Sequence, residues 1–240
     1  MLTPFIGHPQ ANMDFDISTV EQFGQGAILA GQDPYWGGRE YIYCKYNGAV
    51  RQSGLCVITP AYDSSVGKYV FEATEVPNTA NLGRTLAVAM SDGADGEYGW
   101  FCIGGLVPVN CQASVAADTT FGIAAAGQGG ANSAGKQILN ARVAVAATAT
   151  VAKANCFAQN GSYQLQVPNA DGWFRGAYLS GTGIAAGATV AAISPDGRTV
   201  TMSAVSTAQV TGTVTATYNN ATVYYNVAHL NRPFAQGAIT

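Results

Sequence analysis

The amino-acid sequence predicts an all-β protein, and three observations predict it. The 240 residues include 29 glycines and nine prolines, which cut the chain into short runs. Thr, Val and Ala dominate those runs, and no stretch of about 12 residues or more places apolar side chains at helical spacing. The expected architecture is a small β-barrel or sandwich with an extended N-terminal arm (residues 1–25). Its main unit covers 26–158 plus 219–240, and a second small β-domain (159–218) is inserted before the last strand.

Each element follows from local chemistry. The leader carries Pro4 and Pro9 and little alternation, which favours extended chain over packed structure. Strands are expected at Glu40 to Tyr46, Gly54 to Thr59, Lys68 to Ala73, Arg84 to Ser91, Tyr98 to Ile103, Leu106 to Gln112 and Arg142 to Val151. Between two of these, Ser91 to Glu97 holds two Asp-Gly pairs, the chemistry of a tight loop tip. From Gln159 to Tyr218 lysine disappears and alternation becomes cleaner. Along Val210 to Thr217, Thr211, Thr213, Thr215 and Thr217 share one face while Val210, Val214 and Ala216 share the other. Thr199 to Ser203 is a second strand, with Val200 and Met202 inward. Turns at Ser180-Gly181-Thr182-Gly183 and Ser194-Pro195-Asp196-Gly197 complete an expected four-stranded unit. The run Thr222 to Val227 is the last strand, followed by a tail with Asn231-Arg232-Pro233-Phe234.

Composition narrows the function. Eleven basic against 14 acidic residues give a net charge of −3, and hydrophobic residues make up 48%. A chain so apolar has enough material for a core, and without a basic run it lacks the electrostatic footprint of a nucleic-acid binder. The longest apolar stretch, around Val143 to Ala152, is Thr-broken and too short to span a bilayer as a helix. The first residues show no secretory pattern, so synthesis in a reducing cytoplasm is expected, and with it no use of the acceptor patterns at Asn160 and Asn220. Cys44, Cys56, Cys102, Cys111 and Cys156 are odd in number and contain no CxxC pair, which reads as buried thiols rather than a disulfide or zinc framework.

Few motifs carry chemistry. Gly130-Ala131-Asn132-Ser133-Ala134-Gly135-Lys136-Gln137 matches a phosphate loop at its glycines and lysine. It ends in Gln where a metal-binding hydroxyl belongs and leads into strand-like sequence, so a Gly-rich hairpin loop is preferred. His8 and His229 stand apart from other polar chemistry, and Asp92, Asp95 and Glu97 fall short of a Ca²⁺-loop spacing. Trp36, Trp100 and Trp173 are read first as core or subunit-contact residues. No catalytic residue, cofactor or metal ligand is assigned.

Several runs carry a resemblance. Gln32-Asp33-Pro34-Tyr35-Trp36-Gly37-Gly38-Arg39-Glu40-Tyr41-Ile42-Tyr43, Val88-Ala89-Met90, Tyr98-Gly99-Trp100-Phe101 and Asn231-Arg232-Pro233-Phe234 together resemble tailed-bacteriophage head decoration (cement) proteins. The stretch from Ser180 to Ser203 is similar to a β-module found in phage structural proteins. The resemblance implies a small β-barrel seated on the capsid exterior, with Thr222 to Phe234 as the last strand of the first unit. It also implies the major capsid protein as partner and assembly as a homo-oligomer, a trimer favoured, with no membrane or nucleic-acid partner. The contact residues expected are Phe5, Ile6, Phe15 and Phe23 in the arm, Trp36 near a loop, and Arg232 with Phe234 in the tail; Phe23 and Trp36 have a core alternative. The competing reading is a tail or fibre adhesive, or a carbohydrate-binding module, with Trp173 beside Asp171 as its reader.

Overall fold

The structure is a computed structural model that describes residues 17–33, 35–64, 67–220 and 222–238. Among the described residues it contains sixteen strands and no helix. They are β1 (Ile28–Asp33), β2 (Gly37–Tyr46), β3 (Leu55–Asp63), β4 (Lys68–Glu75), β5 (Leu86–Ala89), β6 (Tyr98–Cys111), β7 (Phe121–Ala125) and β8 (Gln128–Ala131). Then come β9 (Ile138–Val145), β10 (Thr150–Ala158), β11 (Gln164–Gln166), β12 (Tyr178–Ser180), β13 (Val190–Ile193), β14 (Thr199–Met202), β15 (Val210–Thr217) and β16 (Tyr224–Ala235).

Ten strands form the first sheet, and within it the pairings run in a cycle: β2 to β4, β4 to β3, β3 to β5, β5 to β6, and β6 back to β2. Because side chains alternate across a strand, each strand of the cycle sends every second residue into a common interior. Ile42, Cys44 and Tyr46 of β2, Cys56 and Ile58 of β3, Ala73 of β4, Ala87 and Ala89 of β5, and Phe101 and Ile103 of β6 form that core. Small residues facing Tyr46 make the volume fit: a Cβ on Gly93 would lie 2.4 Å from the Tyr46 ring, so only glycine lets the phenol fill that end. The opposite face of the same strands is buried as well. Tyr41, Tyr43, Leu55, Leu86, Val88 and Trp100 pack there with Phe121, Ile138, Val143 and Leu230 from β7, β9 and β16.

The expected strands Tyr98 to Ile103 and Leu106 to Gln112 are one continuous β6. Gly104 and Gly105 do not end it; Gly105, at φ +93°, lets the strand pass so close to β2 that a Cβ would meet the Gly38 carbonyl at 2.4 Å. Conversely, the expected strand Arg142 to Val151 is two. β9 lies in the first sheet and β10 in the second, with a turn through Ala146 to Ala149 between them.

The second sheet comprises β10 to β15 in the order β12-β15-β10-β11-β14-β13. The residues just before β13 then pair back to β12, through the Tyr178/Thr189 bridge and a hydrogen bond from the Leu179 amide to the Ala188 carbonyl. This sheet thus holds six strands rather than four, and it begins at Thr150 rather than 159. Its core includes Leu165, Val200, Met202, Val210, Val214 and Ala216, so the valines and threonines of β15 take the faces their alternation predicts.

The two sheets share a packed junction. Val227 of β16 is fully buried in the second core, which Trp36, Leu106, Val145 and Tyr225 of the first sheet also border. Phe174 sits edge-on to both Tyr218 and Tyr225, with ring centroids 4.8 and 5.5 Å away. Buried Asn226 stitches the crossing. Its Oδ1 accepts from the Val115 and Ala147 amides at 3.1 and 2.9 Å, and its Nδ2 donates to the Ala113 carbonyl.

Residues 17–27 depart from the expected extended arm. Ser18 pairs with Tyr98, Phe23 packs on Tyr43 and Trp100, the Lys68 ammonium donates to Glu21, and Gln25 Oε1 accepts from the Phe71 amide. This segment covers the outer aromatic face of the first sheet. The part of the predicted arm holding Phe5, Ile6 and Phe15 lies outside the described residues.

Candidate functional site

The surface feature that stands out is an aromatic hairpin. β3 and β4 pair in register from Cys56/Glu75 out to Asp63/Lys68, while β5 meets β3 only over Leu55 to Val57, and β2 meets β4 only at Glu72 and Ala73. The outer half of the hairpin, from Thr59 to Phe71, is therefore a two-stranded ribbon. Near its end Tyr62 and Tyr69 are directly opposed across the strands, their rings 5.4 Å apart and edge-on, and they are 61% and 71% exposed. Two more large apolar side chains sit in the segment that crosses beside the ribbon. Val20 precedes Glu21, which is tied to Lys68, and Ile28 follows Gly26, which lies against the Phe71 ring. Large aromatics held out of a core in this way are the usual anchors of protein contacts.

The expected contact residues lie as follows. Phe23, 40% exposed, packs on Tyr43 and Trp100, and Trp36, half-buried, packs against Tyr35 and borders the second core. Arg232 is exposed; it adopts φ +50° in a bulge of β16, and its Nε donates to Glu40 at 3.3 Å. Phe234 pairs with Leu139 of β9, and each is about two-fifths exposed. The neighbouring Arg39 is buried and donates to the Leu106 carbonyl at 2.6 Å, so Arg39 and Glu40 face opposite ways. The sequence signal for Tyr62 and Tyr69 was their even spacing about the polar turn at Asp63 to Lys68, which makes them a cross-strand pair.

Trp173, the glycan reader of the competing reading, is 3% exposed, and its indole N–H donates to the Val151 carbonyl at 3.0 Å; it is a core residue, as its first reading had it. The acidic loop uses its carboxylates on its own and neighbouring backbone. Asp92 accepts from the Gln52 amide, Asp95 from the Gly48 amide and Glu97 from the Ala94 amide. His229 is an exposed residue of β16 opposite Leu106 and Arg142; His8 lies outside the described residues. All five cysteines are buried and form no disulfide, and desolvation raises the thiols of Cys44, Cys56, Cys111 and Cys156, that of Cys111 to about 11. Thiols so raised carry almost no thiolate near neutrality, which is the state of packing residues rather than nucleophiles.

The Gly130 motif spans the end of β8 and a loop to β9, with no helix behind it. Its lysine is turned aside: Lys136 donates to Asn78 Oδ1 at 2.7 Å. The loop instead forms one wall of a cleft of about 600 Å³ bordered by Asn81, Asn132, Ser133, Gly135, Gln137 and Gln236. The C-terminal segment floors it. Gln236 donates its amide to the Gln137 carbonyl on one side and accepts from the Gly83 amide on the other. The Asn81 amide donates to the Gly135 carbonyl at 2.7 Å and joins the two walls. No protein-family model, curated protein or solved structure gives a significant match to this chain.

Proposed function

We propose that this protein works by contact: it is a decoration subunit on the exterior of a tailed-phage head, bound to the major capsid protein and to copies of itself, a trimer favoured, and it performs no catalysis. The single observation that supports this reading is the exposed cross-strand pair of Tyr62 and Tyr69 on the β3–β4 ribbon. A partner covering that pair would bury rigid aromatic area with few ions to desolvate, since the whole chain carries only 25 charged Lys, Arg, Asp and Glu side chains (11 plus 14). The resemblance in sequence names the partner class, and the packed junction between the sheets supplies the stiffness that a cement subunit needs.

Cementing of this kind is mass action. A subunit that binds the assembled lattice and not its free components lowers the free energy of the lattice by its binding free energy at each site. A stable contact needs about 1,000 Å² of buried area or more, which the ribbon extends and the rest of the subunit completes. The test is thermal rupture of heads with and without the protein. Heads carrying it rupture at a higher temperature, and the Tyr62→Ser/Tyr69→Ser variant, folded by circular dichroism, loses most of that gain. Unchanged rupture on adding the native protein contradicts the proposal.

A further inference from the structure

The cleft beside the Gly130 loop has a chemistry that the decoration role does not use. Among the described residues its lining contains no charged residue. What lines it are four side-chain amides and a hydroxyl, from Asn81, Asn132, Gln137, Gln236 and Ser133. Asn81, Asn132 and Ser133 are exposed and Gln137 and Gln236 half-buried, and among the described residues none of these five side chains makes a hydrogen bond within the protein, so all five are open to a ligand from solvent. Each amide offers one acceptor and two donor hydrogens, and the hydroxyl offers both roles. Such a set matches a ligand that is itself uncharged and carries vicinal donor–acceptor groups.

The walls are built rather than incidental. Asn81 holds a left-handed backbone, φ +55°, and Gly135 opposite holds φ +73°. A Cβ on Gly135 would lie 2.8 Å from Asn81 Oδ1, so the closeness of the two loops depends on glycine there. A nucleotide is the poorer fit, because Lys136 is held outside the lining by Asn78 and no helix N-terminus faces the loop.

We infer that this cleft binds a neutral, hydroxyl-rich ligand, a saccharide. The binding is weak per site, with a Kd on the order of 1 mM for a short oligosaccharide, because the lining lacks an aromatic platform and relies on hydrogen bonds. On a particle bearing many copies such sites would act together, because one polymer engages several of them at high effective concentration. The inference stands on the cleft alone and survives or fails independently of the head-decoration reading.

The test is an amide NMR titration of the full chain with maltohexaose, with tetraacetylchitotetraose and, as a charged comparison, with ATP. The expected result is saturable shifts for at least one saccharide at Asn81, Asn132, Gln137 and Gln236, including their side-chain amides, and none of comparable size with ATP. Asn132→Ala and Gln137→Ala each weaken binding about tenfold, the equivalent of one lost hydrogen bond, while Tyr62→Ser leaves it unchanged. Gln236→Ala serves as the independent variant if either of the others perturbs resonances far from the cleft. No saccharide shift at about ten times the expected Kd, shifts located elsewhere, or equal shifts with ATP each overturn the inference.

Discussion

Along β15, Val210, Val214 and Ala216 are buried while Thr211 and Thr213 face solvent, whereas all four residues of β5, Leu86 to Ala89, are buried. The difference comes from position. β15 belongs to a small sheet that curls around its own core, so one face of the strand stays wet. β5 lies in a ring with a core inside it and a second core outside, against the layer that β7, β9 and β16 supply. Two-period alternation therefore marks only strands with a single buried face, and a strand buried twice reads as a continuous apolar run. The same contrast bears on function. The doubly buried sheet is the one that carries the exposed ribbon, the junction and the amide cleft.

Four changes break or sharpen this contrast. Tyr46→Ala empties one end of the ring interior and is expected to cost about 3–5 kcal/mol in denaturant unfolding, the range for a large buried aromatic. A cost below about 1 kcal/mol means the ring interior is not the packed core described. Asn226→Ala strands the Val115 and Ala147 amides at the junction and should cost about 2–4 kcal/mol. If it instead splits one unfolding transition into two, the sheets are coupled mainly through this side chain. Val88→Thr and Thr213→Val exchange the same two side-chain types. The first buries a hydroxyl in β5 at a cost of about 1–3 kcal/mol, and the second, on the wet face of β15, stays within about 0.5 kcal/mol. Equal effects at the two sites would erase the distinction between the sheets.

The smallest expected effect concerns the segment that covers the aromatic face. Burial pushes the Glu21 carboxyl up, but hydrogen bonds and charge from Lys68 and Gln25 outweigh it and leave the group below its ordinary value. A folded-state value below the unfolded one means the contribution is present above the ordinary carboxylate range and is lost as pH falls through the lowered value. Acidification should thus loosen residues 17–25 and change the fluorescence of Trp100 under Phe23, and Lys68→Ala should shift that transition to higher pH. A transition unmoved by Lys68→Ala would show that the Glu21–Lys68 pair does not hold the segment.

Much of the fold was legible because its signals are local. The Asp-Gly loop at Ser91 to Glu97, the Ser194 to Gly197 turn and the two faces of β15 each rest on a few adjacent residues, and each appears where expected. β1 was missed because Ile28-Leu29-Ala30-Gly31-Gln32-Asp33 has little strand propensity; its pairing with β2 creates it. The second sheet was started too late because the turn at Ala146 to Ala149 contains neither Gly nor Pro, so nothing in the sequence broke Arg142 to Val151 in two. Of the functional surfaces, the Gly130 loop was visible as a motif. The other walls of its cleft come from Asn81, Gln236 and Ala238, far apart in sequence, and only the fold brings them together. Trp173 is the core residue it was first read as; its competing reading as a glycan contact rested on composition, which marks a tryptophan as available for stacking while burial decides whether it is.

The most direct measurement is an image of the assembled particle by electron cryomicroscopy, at a resolution that places the β3–β4 ribbon. The account predicts density for this chain on the outside of the head, with Tyr62 and Tyr69 covered by a neighbouring polypeptide. A head free of the chain, or a bound chain whose ribbon points into solvent with both tyrosines uncovered, would contradict it.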